Sequence, residues 1–120
     1  MKWNYRDDLP IYSQLVEQLK RAIISGELKP GERLMAVREM AMEAQVNPNT
    51  MQRALTELEQ QGLVFTQRTA GRFVTEDAQR IREAGELQAK EMTAEYLRSM
   101  KELGFSAEET VKLILAQEEQ

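Results

Sequence analysis

Two short helical patterns, only three residues apart, constrain the fold of this chain most. Residues 36–44 carry apolar side chains at positions 37, 40, 41 and 44, which is the spacing of one face of a helix. Asn47 and Pro48 then mark a new helix start, because asparagine caps free backbone N–H groups and proline fits the first helical position. This spacing predicts a helix-turn-helix.

The second helix of this pair is predicted to extend to about residue 61 and to end at Gly62. Its inward stripe consists of Met51, Ala54, Leu55 and Leu58. Its outward residues are Asn49, Thr50, Gln52, Arg53 and Thr56. A face rich in amide and basic groups is typical of a helix that lies in the major groove of DNA.

The segments on either side predict a first helix and a hairpin. Residues 10–25 repeat apolar side chains with a helical period, and Pro30 and Gly31 then favour a type II turn that leads into a very short strand. Residues 63–66 and 72–75 are β-prone and surround a turn that bears arginine. We therefore expect a β-hairpin wing beside the helix-turn-helix.

The remaining chain predicts two more helices. Residues 76–103 form a polar helical stretch, and a capping box at residues 106–109 opens a last helix. The predicted fold is mostly α with a small β-hairpin wing. A winged helix-turn-helix occupies residues 9–77, and a two-helix C-terminal dimerisation arm occupies residues 78–120.

Several classes of function are excluded by what the sequence lacks. The 120 residues include no His and no Cys, which removes the commonest general base, the soft metal ligands and thiol nucleophiles. No stretch approaches the roughly 18 apolar residues that a membrane span needs. We therefore expect a soluble, cytoplasmic protein that is not an enzyme and has no cofactor, metal site or membrane partner.

The charge of the chain is unevenly distributed. The net charge of −4 argues against nucleic acid, whose binding depends on phosphate neutralisation by Lys and Arg. Residues 1–75, however, contain 10 Lys and Arg against 9 Asp and Glu, whereas residues 76–120 contain 6 against 11. The acidity therefore belongs to the tail.

Between residues 10 and 74 the order of elements and the local phrases resemble the GntR-type winged-helix regulators. The phrases are PIYSQL at 10–15, ISGELKPGERL at 24–34, VREMA at 37–41, NTMQRALTELEQQGL at 49–63 and GRFV at 71–74. Their joint occurrence in this order is specific, and they span over half of the chain. The short two-helix tail is similar to that of the YtrA-type subgroup.

The resemblance implies a set of DNA-binding residues in the helix-turn-helix and the wing. They are Arg38, Asn47, Asn49, Thr50, Gln52, Arg53, Arg68, Thr69, Gly71 and Arg72. For each arginine the competing interpretation is a surface ion pair with a nearby Glu, and Glu57 is the candidate partner of Arg53. Tyr12, Phe65 and Phe73 are expected in the core rather than as platforms on which bases stack.

Three positions depart from the common pattern of this family. Pro48 and Gln52 stand where arginines are frequent, so guanine readout by those arginines is lost. Gln52 and Asn49 can instead pair with adenine, which predicts an operator that depends less on guanine. Gln45 stands where glycine is usual, and a positive φ there would cost on the order of 1 kcal/mol.

The tail carries more apolar side chains than it can bury alone, so a second copy of the chain is the simplest partner. The expected homodimer interface contains Leu87, Met92, Tyr96, Leu97, Met100, Leu103, Phe105, Val111, Ile114 and Leu115. The competing interpretation is a hairpin that folds back on its own chain and leaves a monomer. A small-molecule effector, of unknown identity if it exists, would have to bind between arm and winged helix or across the dimer.

These observations lead to one main functional hypothesis and one alternative. The main hypothesis is a sequence-specific DNA-binding transcriptional regulator, a repressor that binds a pseudo-palindromic double-stranded DNA operator as a homodimer. The alternative is a protein-interaction winged-helix module that does not bind DNA. Salt-sensitive retention on a generic duplex distinguishes the two.

Overall fold

The computed structural model describes residues 1–119, and these contain five α-helices and one two-stranded antiparallel hairpin. The elements are α1 (Ile11–Ser25), α2 (Val37–Ala44), α3 (Pro48–Gln60), β1 (Val64–Gln67), β2 (Gly71–Val74), α4 (Ala78–Glu102) and α5 (Ala107–Glu118). This confirms the predicted mostly-α winged fold with two C-terminal helices. The two strands lie within one residue of their predicted bounds.

The predicted helix ends are confirmed by their hydrogen bonds. The Asn47 side chain accepts a hydrogen bond from the backbone N–H of Asn49 at 2.7 Å, directly before Pro48 opens α3. Ser106 and Glu109 form the reciprocal capping box of α5. Gln45, which follows α2, has φ 59°, so the turn of the helix-turn-helix does require the left-handed conformation.

The core of the winged helix-turn-helix is formed by α1, α2, α3 and the hairpin. The most completely buried large side chains are Leu15, Leu19, Ile23, Met51, Leu55, Leu58, Leu63, Val64 and Val74. Because the inward stripe of α3 is fully buried, the opposite side of that helix is presented to solvent. The packing of α3 thus determines which of its side chains can reach a partner.

Residues 32–34, where a very short strand is predicted after the Pro-Gly turn, pair with β2 of the hairpin. The N–H of Glu32 donates to the carbonyl of Lys29 at 2.9 Å and closes the turn. Arg33 then forms an antiparallel bridge with Phe73, and the N–H of Leu34 donates to the carbonyl of Arg72 at 2.8 Å. The segment before α2 is therefore fixed to β2.

The N-terminal segment is fixed to α1 by two glutamine side chains. Gln14 accepts from the N–H of Arg6 at 2.7 Å and donates to its carbonyl at 2.8 Å. Gln18 makes the same pair of bonds with Asn4, at 3.1 and 2.5 Å. Each side-chain amide thus bonds both the N–H and the carbonyl of one residue, as the backbone of a neighbouring strand does in a sheet.

The chain divides into two compact units, Met1–Gly85 and Glu86–Gln120. The predicted division between residues 77 and 78 stays a prediction. The first turns of α4 contribute Ile81 and Ala84 to the core of the first unit. Within the described residues of the second unit, Met100 and Thr110 are buried, whereas most other apolar side chains are exposed. None of the helices described is long and apolar enough to cross a membrane.

Candidate nucleic-acid interface

A shallow recess of about 510 Å³ is lined by α2, the turn that follows it and the start of α3. Its rim carries Arg38, from the first turn of α2, and Asn47 and Asn49, from the start of α3. Its lining between them is apolar and includes Met42, Val46 and Pro48. Three of the residues predicted to bind DNA are thus brought to one place by the helix-turn-helix.

The two asparagines at this recess differ in which hydrogen-bonding groups of their side chains are available. The side-chain oxygen of Asn47 is occupied by the cap of α3, which leaves only its NH₂ group for a partner. The Asn49 side chain is exposed and has no hydrogen-bond partner within residues 1–119. Asn49 therefore has both its donor and its acceptor available to a base edge.

Further along α3, Gln52 and Arg53 are exposed and Thr50 is half-buried. The Gln52 side chain donates to the Thr56 hydroxyl at 3.3 Å, a long bond that a better acceptor can replace. The hydroxyl of Thr56 in turn donates to the Gln52 carbonyl at 2.9 Å. The Gln52 amide thus lies on the outer face of the helix and, within the residues described, makes only this one weak hydrogen bond.

Arg53 is held by an aromatic ring rather than by a carboxylate. Its guanidinium carbon lies 4.1 Å from the centre of the Tyr12 ring, on α1. Glu57, the partner weighed from the sequence, instead accepts a hydrogen bond from Gln61 at 3.3 Å. Stacking uses the face of a guanidinium and leaves its N–H groups, which lie in the plane, free to bind an anion.

Arg72 differs from the other predicted arginines because it is already paired. Its Nε donates to Glu59 of α3 at 2.7 Å, and its side chain is only 17% exposed. The hydroxyl of Thr66, on β1, donates to the same carboxylate oxygen. Glu59 therefore joins both strands of the wing to α3, and the assignment of Arg72 to DNA stays a prediction.

The environment of Glu59 also affects its acidity. Burial alone would raise the pKa of this carboxyl, but the hydrogen bonds from Thr66 and Arg72 and the Arg72 charge outweigh burial and lower the pKa below its ordinary value. Glu59 is therefore a carboxylate at neutral pH. The joint between wing and helix depends on that charge.

The turn of the hairpin carries Arg68 and Thr69, both of which are exposed. The N–H of Ala70 donates to the carbonyl of Gln67 at 3.1 Å and closes this turn. Gly71 follows with φ 111°, a conformation that residues with a Cβ rarely adopt. The wing thus presents a cation at its tip on a turn that glycine makes possible.

The aromatic residues of the wing are less buried than expected. Phe65 and Phe73 are cross-strand partners whose ring centres lie 5.7 Å apart. The prediction that Phe65 is a core residue is wrong, since its side chain is 38% exposed. A two-stranded hairpin has only one face against the helices, and mutual stacking covers the rings in part.

Sequence reasoning missed three residues that shape this surface. Tyr12 positions Arg53, Glu59 fixes the wing, and Arg33 lies against Gly71, where a Cβ would be 3.2 Å from Nε of Arg33. Each contact joins residues distant in the chain, so no local pattern marks it. Only Glu59 had a signal in the sequence. It lies one turn before Gly62, next to a predicted hairpin that carries Arg72.

Comparison with known proteins identifies relatives of the whole arrangement. Residues 11–74 match the family profile described as "Bacterial regulatory proteins, gntR family". The HTH-type transcriptional regulator YhcF of Bacillus subtilis is 38% identical over 108 residues, which are 90% of this chain and 89% of that protein. The HTH-type transcriptional repressor YtrA of the same organism is 41% identical over 73 residues, 61% of this chain and 56% of that protein.

A solved structure extends the similarity to the C-terminal helices. The GntR family transcriptional regulator from Listeria monocytogenes is 35% identical, with a TM-score of 0.87, over 93% of this chain and 98% of that one. The similarity therefore includes α4 and α5 as well as the winged helix-turn-helix. These relatives are transcriptional regulators and not enzymes, as the sequence predicted.

Proposed function

Because this chain belongs to the GntR family of bacterial regulatory proteins and is a DNA-binding transcriptional regulator, we propose that it acts as a repressor that binds a pseudo-palindromic operator as a homodimer. The observation that carries the proposal is the outer face of α3, where exposed amides lie between arginines that carry no ion pair. Among the residues described, Arg38, Arg53 and Arg68 have no carboxylate partner. Desolvating these cations against phosphate breaks no internal ion pair.

The residues of this surface divide into two roles. Arg38, at the rim of the recess, and Arg68, at the wing tip, bind the phosphate backbone and set the position of the protein on the duplex. Asn49 and Gln52 lie in the first turns of α3, the part of a recognition helix that meets base edges. Both amides match adenine, which presents one acceptor and one donor in the major groove.

The homodimer is supported by the unburied apolar surface of the second unit. Leu103, Val111, Ile114 and Leu115 are 45 to 71% exposed within the protomer. Burying such a side chain from full exposure contributes roughly 1.5 to 3 kcal/mol, of which these partly exposed ones retain about half, and their sum must outweigh an association cost of at least about 4 kcal/mol. Two copies that present the same surface to each other provide that burial with twofold symmetry.

A symmetric dimer binds two half-sites, with recognition helices separated by about one turn of DNA, ~34 Å. The second half-site then binds within an existing complex, which raises affinity without new contacts. The designation of YtrA as a repressor supports the direction of control, because a dimer seated on an operator blocks access to the promoter. The regulated genes and any effector are not specified by this surface.

The experiment that tests the proposal is selection of duplexes by the full-length chain from a random pool. We expect enriched sites with two inverted half-sites, rich in A·T pairs at the positions that α3 reads. Footprinting on an enriched site should protect both half-sites at a stoichiometry of two chains per duplex. Enrichment of single, unrepeated sites bound by one chain would contradict the dimeric operator.

Two substitutions then separate the roles of the surface. Arg38→Ala should weaken binding to selected and random duplexes alike, whereas Gln52→Ala should weaken binding to the selected duplex only, by roughly 1 to 3 kcal/mol. Gln60→Ala, at an exposed glutamine near the other end of α3, is the matched control and should change neither affinity. Absence of salt-sensitive retention on any duplex would favour the protein-interaction module instead.

A further inference from the structure

The side chain of Arg33 lies in the space that the missing side chain of Gly71 leaves open. A Cβ built at Gly71 would be 3.2 Å from Nε, 3.6 Å from Nη2 and 3.8 Å from Cζ of Arg33. The edge of the guanidinium that carries Nε and Nη2 thus lies beside Gly71, at the start of β2. Glycine is required at position 71 for two reasons. Its backbone adopts a φ of 111°, and its lack of a Cβ leaves room for the side chain of Arg33.

The backbone of Arg33 is fixed to the wing as well. Arg33 bridges Phe73, and the flanking bonds run from Leu34 N–H to the Arg72 carbonyl at 2.8 Å and from Val74 N–H to the Glu32 carbonyl at 2.9 Å. The segment therefore forms a short third strand beside β2. A side chain on such a strand moves with the wing.

The charge of Arg33 is not neutralised within the part of the chain that the structure describes. It is exposed and has no carboxylate partner there, whereas its neighbour Arg72 is bound to Glu59. An arginine that serves only the fold would gain by pairing, as Arg72 does. The backbone pairing of this segment and the open site at Gly71 instead hold a free guanidinium next to the wing.

We propose that Arg33 binds a phosphate of the operator backbone beside the turn of the wing, an inference that rests on the DNA-binding function proposed above. Arg68 belongs to the turn of the hairpin, the part that can enter a groove. The backbone of Arg33 pairs with Phe73 and its guanidinium lies beside Gly71, directly after the turn, so Arg33 meets the phosphates at the edge of that groove. The edge of the guanidinium that carries Nε and Nη2 lies beside Gly71. The Nη1/Nη2 edge is therefore the one that offers two parallel N–H groups to a phosphate.

The test measures affinity against salt concentration for the full-length chain with a selected duplex and with a random one. Arg33→Ala should weaken binding to both duplexes by a similar factor and reduce the slope of log affinity against log salt by about 1. Arg33→Lys should keep the slope and recover only part of the affinity, because it keeps the charge without the two-pronged geometry. Arg21→Ala, which removes a cation that is paired with Glu17 on α1, is the charge-matched control and should leave the slope unchanged.

Gly71 provides a second, independent arm of the test. Gly71→Ala should weaken binding by displacing Arg33, so the same change made in the Arg33→Ala protein should have little further effect on affinity. Melting curves of each variant confirm that the affinity refers to folded protein. Additive losses would show that Gly71 acts separately from Arg33 and would overturn the seating described here.

The outcomes also distinguish this inference from the proposed function. If wild-type protein binds DNA with a steep salt dependence and Arg33→Ala does not reduce the slope, Arg33 makes no phosphate contact. A loss confined to the selected duplex would make Arg33 a base reader and overturn the phosphate assignment. If the wild-type protein itself shows no salt-sensitive binding to any duplex, the proposed function fails.

Discussion

The neighbours of each arginine determine what that side chain has available for a partner. Arg72 is bound to Glu59, Arg53 is stacked on Tyr12, and Arg33 lies against Gly71. Only the first of these environments neutralises the charge. In sequence the arginines are equivalent surface cations, but in the structure they have different partners.

At the scale of single residues, the ring of Tyr12 should matter for DNA affinity although it touches no DNA. Tyr12→Leu removes the stacking that orients Arg53, so we expect affinity for a selected duplex to fall about two- to fivefold, the equivalent of ~0.5–1 kcal/mol. Tyr12→Phe keeps the ring and should bind nearly as well as wild type. Fluorescence anisotropy with a labelled duplex is sufficient to measure these differences.

A double-mutant cycle excludes an indirect effect of Tyr12 on the fold. In the Arg53→Ala protein, Tyr12→Leu should cause no further loss of affinity, because the group it positions is gone. An equal loss with and without Arg53 would assign Tyr12 to the packing of α1 alone. The salt slope of Tyr12→Leu should fall with that of Arg53→Ala, which a packing defect would not produce.

What the sequence predicts for a residue depends on how far its partner lies along the chain. The cap at Asn47 follows from the adjacent Pro48 and is confirmed, whereas the positive φ found at Gln45 was raised only by the resemblance, in which glycine is usual there. Glu57 is the competing partner of Arg53 in sequence because the two are four residues apart, yet the observed neighbour of Arg53 is Tyr12, 41 positions away. Contacts between distant segments need the packing of α1 against α3, which no local pattern contains.

At the scale of elements, the wing is attached to the recognition helix through one carboxylate. Glu59 accepts from Thr66 on β1 and from Arg72 on β2, so a single side chain fixes both strands. The angle of the hairpin to α3 decides whether Arg68 and the base-reading amides reach DNA together. Glu59 therefore controls the geometry of the surface without belonging to it.

Glu59→Gln should therefore lower stability and DNA affinity at neutral pH. Because the pKa of Glu59 is lowered in the folded state, the stabilisation by its charge is complete above the ordinary pKa of about 4.5 and is lost as the pH falls through the folded-state value. The difference in melting temperature between wild type and Glu59→Gln should thus be constant near pH 7 and shrink as the pH falls below the ordinary pKa of the group.

Thr66→Val is the matched variant, because it removes one hydrogen bond to Glu59 but no charge. It should keep the pH dependence in weaker form, since Arg72 still stabilises the carboxylate. A difference between wild type and Glu59→Gln that stays constant down to pH 3 would mean that the carboxylate charge does not hold the wing. Calorimetric melting at several pH values provides the measurement.

The elements themselves were predictable because their signals are local. Helical periodicity, the capping residues and the Pro-Gly turn specify α1 to α5 and the hairpin to within a few residues. The strand bounds moved by one residue because β-prone runs alone do not fix the cross-strand register, here Val64 with Val74 and Gln67 with Gly71. The division into units also depends on packing, since Ile81 belongs to the core of the first unit although it lies in α4.

At the scale of the whole molecule, the two units differ in net charge and in the apolar surface that they expose. Residues 1–85 contain 12 basic and 12 acidic side chains, whereas residues 86–120 contain 4 basic and 8 acidic ones. The second unit also exposes most of its large apolar side chains. Such a unit is suited to bind a second protein chain and unsuited to bind phosphate.

Substitutions in the second unit should therefore weaken dimerisation and lower DNA affinity together. Leu103→Glu and Ile114→Glu place a charge at positions that are 71 and 45% exposed in the protomer, so they should not unfold it. We expect each to weaken dimerisation at least about tenfold, or ~1.4 kcal/mol, as measured by sedimentation equilibrium. Arg98→Glu, which adds negative charge where no apolar side chain is lost, is the control.

DNA binding by these variants completes the prediction. Affinity for a site with two half-sites should fall, whereas affinity for a single half-site should stay unchanged. A monomeric wild type, or dimerisation that survives both substitutions, would contradict the assignment of the arm. Whole-chain variants are preferable to truncation here, because removal of α4 would also remove Ile81 and Ala84 from the core.

The glutamine pairs that fix the N-terminal segment have a consequence for exchange of backbone amides with deuterated solvent. The N–H groups of Asn4 and Arg6 are bonded to Gln18 and Gln14, whereas those of Tyr5 and Asp7 have no acceptor within the residues described. Protection should therefore alternate along residues 4–7, slow at the even positions and fast at the odd ones. An exchange map of this protein would show the signature of an edge strand in a segment whose backbone is bonded to side chains of a helix.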